Sequence, residues 1–186
     1  TIALAPLILS AKTFGSFSDQ MAVVQSVTSA STKDFSRLND RAKELGRTTS
    51  FTAAEVAAAM VALGRAGFSA NEILAAIAGT LDLARAGALD LGEATTIMAD
   101  VSRSFGLAAD QTGLVGDVLA KTANIANTDV QLVGEAMKYV AASANLSGQS
   151  LERVSGALAV LANRGLKGEM AGASLAMVLT QLAGKD

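Results

Sequence analysis

From Glu44 to Ser69 the chain reads as the end of one helix, a polar turn, a capped alanine-rich helix and a glycine stop, and similar units recur roughly every 17 to 22 residues as far as Leu182. That rhythm leaves room for little except short helices joined by tight turns. Four N-cap candidates carry an acid or amide three positions on: Thr52 with Glu55, Ser69 with Glu72, Asp90 with Glu93, and Thr128 with Gln131. In such a capping box the cap oxygen takes an orphan N–H of the first turn, and the third-position side chain bonds back to the N–H of the cap.

Behind the caps, apolar residues recur at spacings of three and four, which places them on one face of a helix. Phe14, Phe17, Met21 and Val24 form the first stripe, and Phe35, Leu38, Ala42 and Leu45 the second. Val56, Met60 and Leu63 follow, then Ile73, Ile77, Leu81 and Ala84, then Ala94, Met98, Val101 and Phe105. Leu114, Val118 and Ile125 come next, then Val133, Met137, Val140 and Ala144, then Leu151, Val154, Leu158 and Leu161. Leu175, Val178 and Leu182 close the series. Gly46, Gly67, Gly87, Gly106 and Gly165 stand where a left-handed residue would end a helix. No window alternates with period two. The expectation is an all-α fold: a compact bundle of about nine short helices with glycine-stopped turns and no sheet. The helices should lie near 3–30, 33–46, 53–66, 70–86, 91–105, 109–126, 129–145, 151–164 and 168–183, with Gly15 a candidate break in the first. Residues 1–30 read as an N-terminal amphipathic helix or connector and 31–186 as a helical core domain. Val56, Ala59, Leu63 and Gly67 recur in type and spacing as Val154, Ala157, Leu161 and Gly165. Two helix-turn-helix units with the same stop and chance in an Ala/Leu/Gly-rich sequence explain that echo equally well, and no known solenoid repeat length fits.

Composition narrows the function classes. Of 186 residues, 51% are hydrophobic, but alanine supplies much of that, and there are 17 glycines. Alanine favours helix yet buries little area, so the helices should pack closely with a thin core and a low unfolding free energy. The absence of Cys and His rules out disulfides, thiolate or imidazole metal sites and a histidine base. A net charge of −2 with interspersed signs offers no basic patch for a phosphate backbone. Ala3 to Ala11 and Met170 to Gly184 are uncharged but for no stretch near the about 18–20 residues that span a bilayer. The chain starts at Thr1 and stops at Lys185–Asp186 after a strong helix, so a segment of a longer protein is expected.

Catalytic constellations are missing. There is no Gly-x-Ser-x-Gly elbow, dinucleotide fingerprint or phosphate loop, and Gly184–Lys185 lacks the glycine and strand upstream that a phosphate loop needs. Asp90 and Glu93 read as a helix cap, and Asp100, Asp110 and Asp117 lack calcium-loop spacing. A glycoside-type hydrolase would need a glutamate, but Glu44, Glu55 and Glu72 read as helix-end or cap residues. The run Lys33, Asp34, Arg37, Asp40, Arg41, Lys43, Glu44 reads as a solvated mixed-sign face rather than a docking face. The loop from Asn163 to Gly168 has anion-binding geometry in principle, but a plain turn and cap accounts for it. Gly168 and Gly172 have the spacing of a membrane dimer motif; with Glu169 between them, close soluble packing is the better reading. Met21, Met60, Met98, Met137, Met170 and Met177 read as adaptable core filling. No catalytic, cofactor-binding or metal-binding residue is assigned, and no enzyme activity is expected.

From about Phe17 to Leu182 the chain resembles the core domain of phage tail tape-measure proteins. The resemblance rests on an ordered set: the helix FSDQMAVVQSVT, Glu44-Leu45-Gly46, Phe51-Thr52-Ala53-Ala54-Glu55-Val56, Ala66-Gly67-Phe68-Ser69 and Glu72-Ile73. It continues through Leu83-Ala84-Arg85-Ala86, Asp90-Leu91, Phe105-Gly106-Leu107, Ser147 to Glu152, and Gly165-Leu166-Lys167-Gly168 with Ala171-Gly172 and Leu175. Ala173 departs from the threonine common there. The resemblance implies a structural domain, not the ruler rod, of a protein acting in tail length determination, tail assembly and genome ejection. It implies the tail tube, the tail-tip or baseplate hub and tail assembly chaperones as partners. It also implies a homo-oligomer, a trimer favoured, about the tail axis. The location would be the virion, in the tail lumen or tip, and the host cytoplasm during assembly. Host membrane contact would belong to the parent protein. The resemblance carries over no catalytic residue, cofactor or direct nucleic-acid site. The alternative is a generic helical interaction module of a secretion or toxin-delivery protein. A globule of this length would be roughly 40 Å across, much wider than a DNA duplex, so it should sit in the wider tail-tip hub or open out inside the tube.

Overall fold

The computed structural model describes residues 5–108 and 111–183, with side chains from residue 17 onward. Among the described residues there are nine helices and no strand. They are α1 (Ala5–Thr28), α2 (Thr32–Thr48), α3 (Ala53–Arg65), α4 (Ala70–Gly87), α5 (Leu91–Ser104), α6 (Thr112–Ile125), α7 (Val130–Leu146), α8 (Leu151–Asn163) and α9 (Gly168–Ala183). The all-α bundle read from the sequence is the fold. α1 runs unbroken through Gly15, so the candidate break is absent. The Phe14 side chain, Asp110 and Gly184–Lys185 lie outside the described residues.

Two of the four boxes close as expected. Thr52 and Ser69 accept from the N–H groups of Glu55 and Glu72, whose carboxylates accept back from the cap N–H groups at 2.7 Å. Asp90 instead bonds the N–H of Gly92 at 2.8 Å and leaves Glu93 out. At α7 the cap is Asp129, which takes the N–H of Leu132 at 2.8 Å, and not Thr128. Both candidates are chemically competent caps; the register that buries Val130 and Val133 selects the second.

Helix ends follow the same logic. At Gly67 (φ 87°) the N–H of Phe68 reaches back to the carbonyl of Leu63, and Gly165 (φ 92°) lets Leu166 do the same to Leu161. Gly106 behaves alike. Gly46 and Gly87 are different: both are helical, and each lets a neighbour come close. A methyl on Gly46 would meet the Ala53 nitrogen at 2.6 Å, and one on Gly87 the Val130 side chain at 2.9 Å. The left-handed residue after α4 is Ala88 (φ 49°).

The helices stack in two rows. α1, α3, α5, α7 and α9 pack in succession along one, and α2, α4, α6 and α8 along the other. From α2 onward each helix also packs on its sequence neighbour, and beyond these the only substantial contact is a slight one between α4 and α7. Small residues set the approach within rows: Gly64 faces Val27, Gly134 faces Ile97, Gly79 faces Gly113, and Gly172 lies on the backbone of Ala136. Close packing on α7 is thus what Gly172 serves, with Gly168 beside Leu132 at the start of α9. The pattern has a register that the sequence did not disclose. Met60, Met98, Met137 and Leu175 occupy one position on α3, α5, α7 and α9, at spacings of 38, 39 and 38 residues, and Ala57, Thr95, Gly134 and Gly172 occupy another at the same spacings. A stack of helix pairs is thus present although no known repeat length was expected to fit. The echo of Val56–Gly67 in Val154–Gly165 joins α3 to α8, helices of opposite rows, and is not this repeat.

Two apolar clusters fill the stack. One runs from Phe17 to Leu81 with Ala99, the other from Leu83 to Leu179, and Phe51 and Leu91 pack against both. Two expected stripes are out of phase. On α6 the buried residues are Thr112, Val115, Gly116, Leu119 and Thr122, while Leu114 and Ile125 are exposed. On α9 they are Gly168, Ala171, Gly172 and Leu179, while Val178 and Leu182 face solvent. In both helices glycine contacts with the preceding helix of the row, to Gly79 and to Ala136, decide which face turns inward.

Candidate functional site

Several carboxylates are engaged in structure. Glu55 and Glu72 close capping boxes. Glu44 pairs with Arg41 at 2.8 Å, and Asp34 with Arg37 at 3.1 Å. The N–H of Ser69, and then its hydroxyl, hold the Glu72 carboxyl below its ordinary value. The Ser31 hydroxyl does this foremost for Asp34, and for Glu152 its own backbone N–H does so, ahead of Ser150. A general acid needs the opposite shift. Among the described residues the Tyr139 phenol is the group pushed upward, through Glu169 beside it. Among the described residues no cluster of acids could hold a metal ion, and no helix is long and apolar enough to cross a membrane.

The charged run of α2 is a solvated face. Besides its two i,i+3 pairs, Arg37 donates to the side-chain oxygen of Asn71 on α4 at 2.8 Å, a tie between neighbours of one row. The turn from Asn163 to Gly168 is also structural: the Asn163 side chain accepts from the N–H of Asn127 at 2.8 Å, and a Glu135 carboxylate oxygen already lies beside Gly168 at the start of α9.

Concave and apolar surface remains. A cleft of about 540 Å³ opens between α1, α2 and α3, lined by Phe17, Lys43, Arg47 and Ala54, with the Lys43 ammonium 5.8 Å from the centre of the Phe17 ring. A groove of about 420 Å³ runs between α6 and α8 past Leu114, Val118, Ile125 and Ser155. Met170, Met177, Val178 and Leu182 form an exposed stripe on α9. Core filling therefore describes Met21, Met60, Met98 and Met137 but not Met170 and Met177, which are 59% and 64% exposed.

The family described as phage-related minor tail protein matches residues 39–186. A tape measure protein of Pneumococcus phage Dp-1 is 39% identical over 174 residues, 94% of this chain. The chain belongs to the phage tail tape-measure family. A probable tape measure protein of Escherichia phage P2 is 28% identical over 98% of the chain. The chain spans only 15% and 22% of the length of these two relatives. No solved structure matches it. As a tape-measure segment it belongs to a tail protein and hence to the virion.

Proposed function

We propose that this segment is a folded structural domain of a tape-measure chain that acts in tail length determination, tail assembly and genome ejection into the host. The observation that carries the reading is 39% identity to a tape measure protein held across 94% of the chain. Carboxylates committed to caps and ion pairs support a role without catalysis. The partners are the tail tube, the tail-tip or baseplate hub and the tail assembly chaperones, and the chain forms a homo-oligomer, a trimer, about the tail axis. It resides in the tail lumen or tip, and in the host cytoplasm during assembly. Residues 1–30 act as a connector docked through Phe17, Met21 and Val24, and 31–186 as the core domain. Contact with the host membrane falls to other parts of the parent protein. The mixed surface, with a net charge of −2, favours no direct grip on DNA.

A folded domain roughly 40 Å across is wider than the duplex that must pass it, so it sits in the wider hub or opens out in the tube. Cryo-EM of tails containing the chain tests this. Density on the axis at the tip, or extended density in the lumen, is the expected result. Several compact copies abreast in the tube, or purified tails without the chain, would sink the proposal.

A further inference from the structure

The outer face of α9 breaks the rule that the rest of its row obeys. On α7 the face that receives α9 carries Leu132 and Ala136: a methyl on Gly168 would meet Leu132 at 3.2 Å, and Gly172 lies on the Ala136 backbone. Shifted by the 38-residue register that takes Met137 to Leu175, Leu132 becomes Met170, Ala136 becomes Ser174, Tyr139 becomes Met177 and Val140 becomes Val178. The exposed stripe of α9 is therefore the receiving face of the row, repeated once more with none of the other described helices on it. It carries no charge from Met170 to Ala183, and Met170, Met177, Val178 and Leu182 are 59%, 64%, 49% and 61% exposed on it. A helix that ends a stack of repeats ordinarily turns a polar face outward, and this one does not.

We propose that the outer face of α9 receives a further helix of the same repeat, supplied by the same polypeptide beyond Asp186. The incoming helix would bring a small residue at the register of Gly134 and Gly172, above Ser174, flanked by uncharged apolar residues. A second copy of the segment fits less well. The small-residue faces that follow the register, at Thr95, Gly134 and Gly172, lie on helices already packed against the preceding member of their own row. The relatives are several times longer than this segment, so in them there is chain enough outside the matched part to supply such a helix. The inference stands on packing and holds whatever the domain does in the tail.

Methionine oxidation reads the face directly, because the rate follows exposure. Dilute peroxide is applied to the 186-residue chain and to the longer polypeptide encoded by its gene, with mass-spectrometric readout. Met60, Met98 and Met137, which are fully buried, serve as internal references. In the segment alone Met170 and Met177 should oxidise fast; in the longer polypeptide both should slow by about tenfold or more. Met177→Glu should leave the segment's melting temperature unchanged, because the side chain is solvated there, and should restore fast oxidation of Met170 in the longer polypeptide. Equal rates in the two contexts overturn the proposal. So does a concentration-dependent dimer of the segment that protects Met170 and is abolished by Met177→Glu, since the occupant is then a second copy.

Discussion

Replacing Gly172 with alanine tests whether small residues set the spacing of the rows. A methyl there would lie 2.9 Å from the Cα and carbonyl carbon of Ala136, and closer still to its carbonyl oxygen. Carbon atoms pack at about 3.5–4.0 Å, and the obstacle is backbone, so no rotamer change relieves it. α9 must retreat from α7 by close to an ångström. A gap of that size forfeits about a quarter to a half of each van der Waals contact along the seam, and overpacking of this kind costs about 1–3 kcal/mol. Alanine regains about 1 kcal/mol of helix propensity over glycine. The net expectation is a loss of up to about 2 kcal/mol, or up to roughly 8 °C in Tm for a chain of this length, which places the variant about 1–3 kcal/mol below a glycine-to-alanine change that gains propensity alone. Gly156→Ala is the matched control: its methyl would meet nothing within 4 Å, so only the propensity gain of up to about 1 kcal/mol remains. Chemical denaturation followed by circular dichroism gives the global effect. Hydrogen exchange on α9 detects the case in which that end helix loosens alone. If Gly172→Ala matches or exceeds Gly156→Ala in stability and α9 exchanges no faster, the close-approach argument is wrong.

Other expectations are simpler to state. Thr52→Ala and Ser69→Ala should each cost about 1 kcal/mol in denaturant unfolding, whereas Glu93→Gln should be silent because Asp90 caps without it. Met98→Ala, at a fully buried site, should cost about 2–5 kcal/mol, and Val160→Ala, mostly exposed, under about 0.5 kcal/mol, by the same assay. The carboxyls of Asp34, Glu72 and Glu152 are held below their ordinary values of 3.8 and 4.5. A depressed folded pKa contributes stability that is present above the unfolded value and lost as pH falls through the folded one. The unfolding midpoint should therefore be level from pH 7 to about 5 and fall below that, and Glu72→Gln should flatten the fall.

What the sequence disclosed, and what it withheld, follows from the range of each interaction. Thr52 with Glu55 and Gly67 before Phe68 are settled within one turn of chain, and both read correctly. The same is true of the caps that keep Glu55 and Glu72 from catalysis. Gly46 and Gly87 look identical to true stops in one dimension, because their function is to admit Ala53 and Val130. On α6 apolar residues occupy two adjacent phases, and only the approach to Gly79 chooses Val115 and Leu119 over Leu114 and Ile125. The repeat stayed hidden because it conserves side-chain size more than type: Ala57, Thr95, Gly134 and Gly172 share a role but not a residue. The stripe on α9 was read as core because its spacing is that of core, and packing alone reveals that its partner is not among the described helices.

Row packing with few distant contacts also has a mechanical side. Among the described residues, α4 and α7 make the main contact between helices more than two places apart along the chain, and it is slight. A pull on one end therefore loads the outermost helix pair and leaves the next one in place until the first has gone. Each pair of about 38 residues would release roughly 130 Å of extended chain. Under tension the domain should lengthen as a staircase of similar increments rather than in a single rupture, and should refold by zipping back from whichever pair survives.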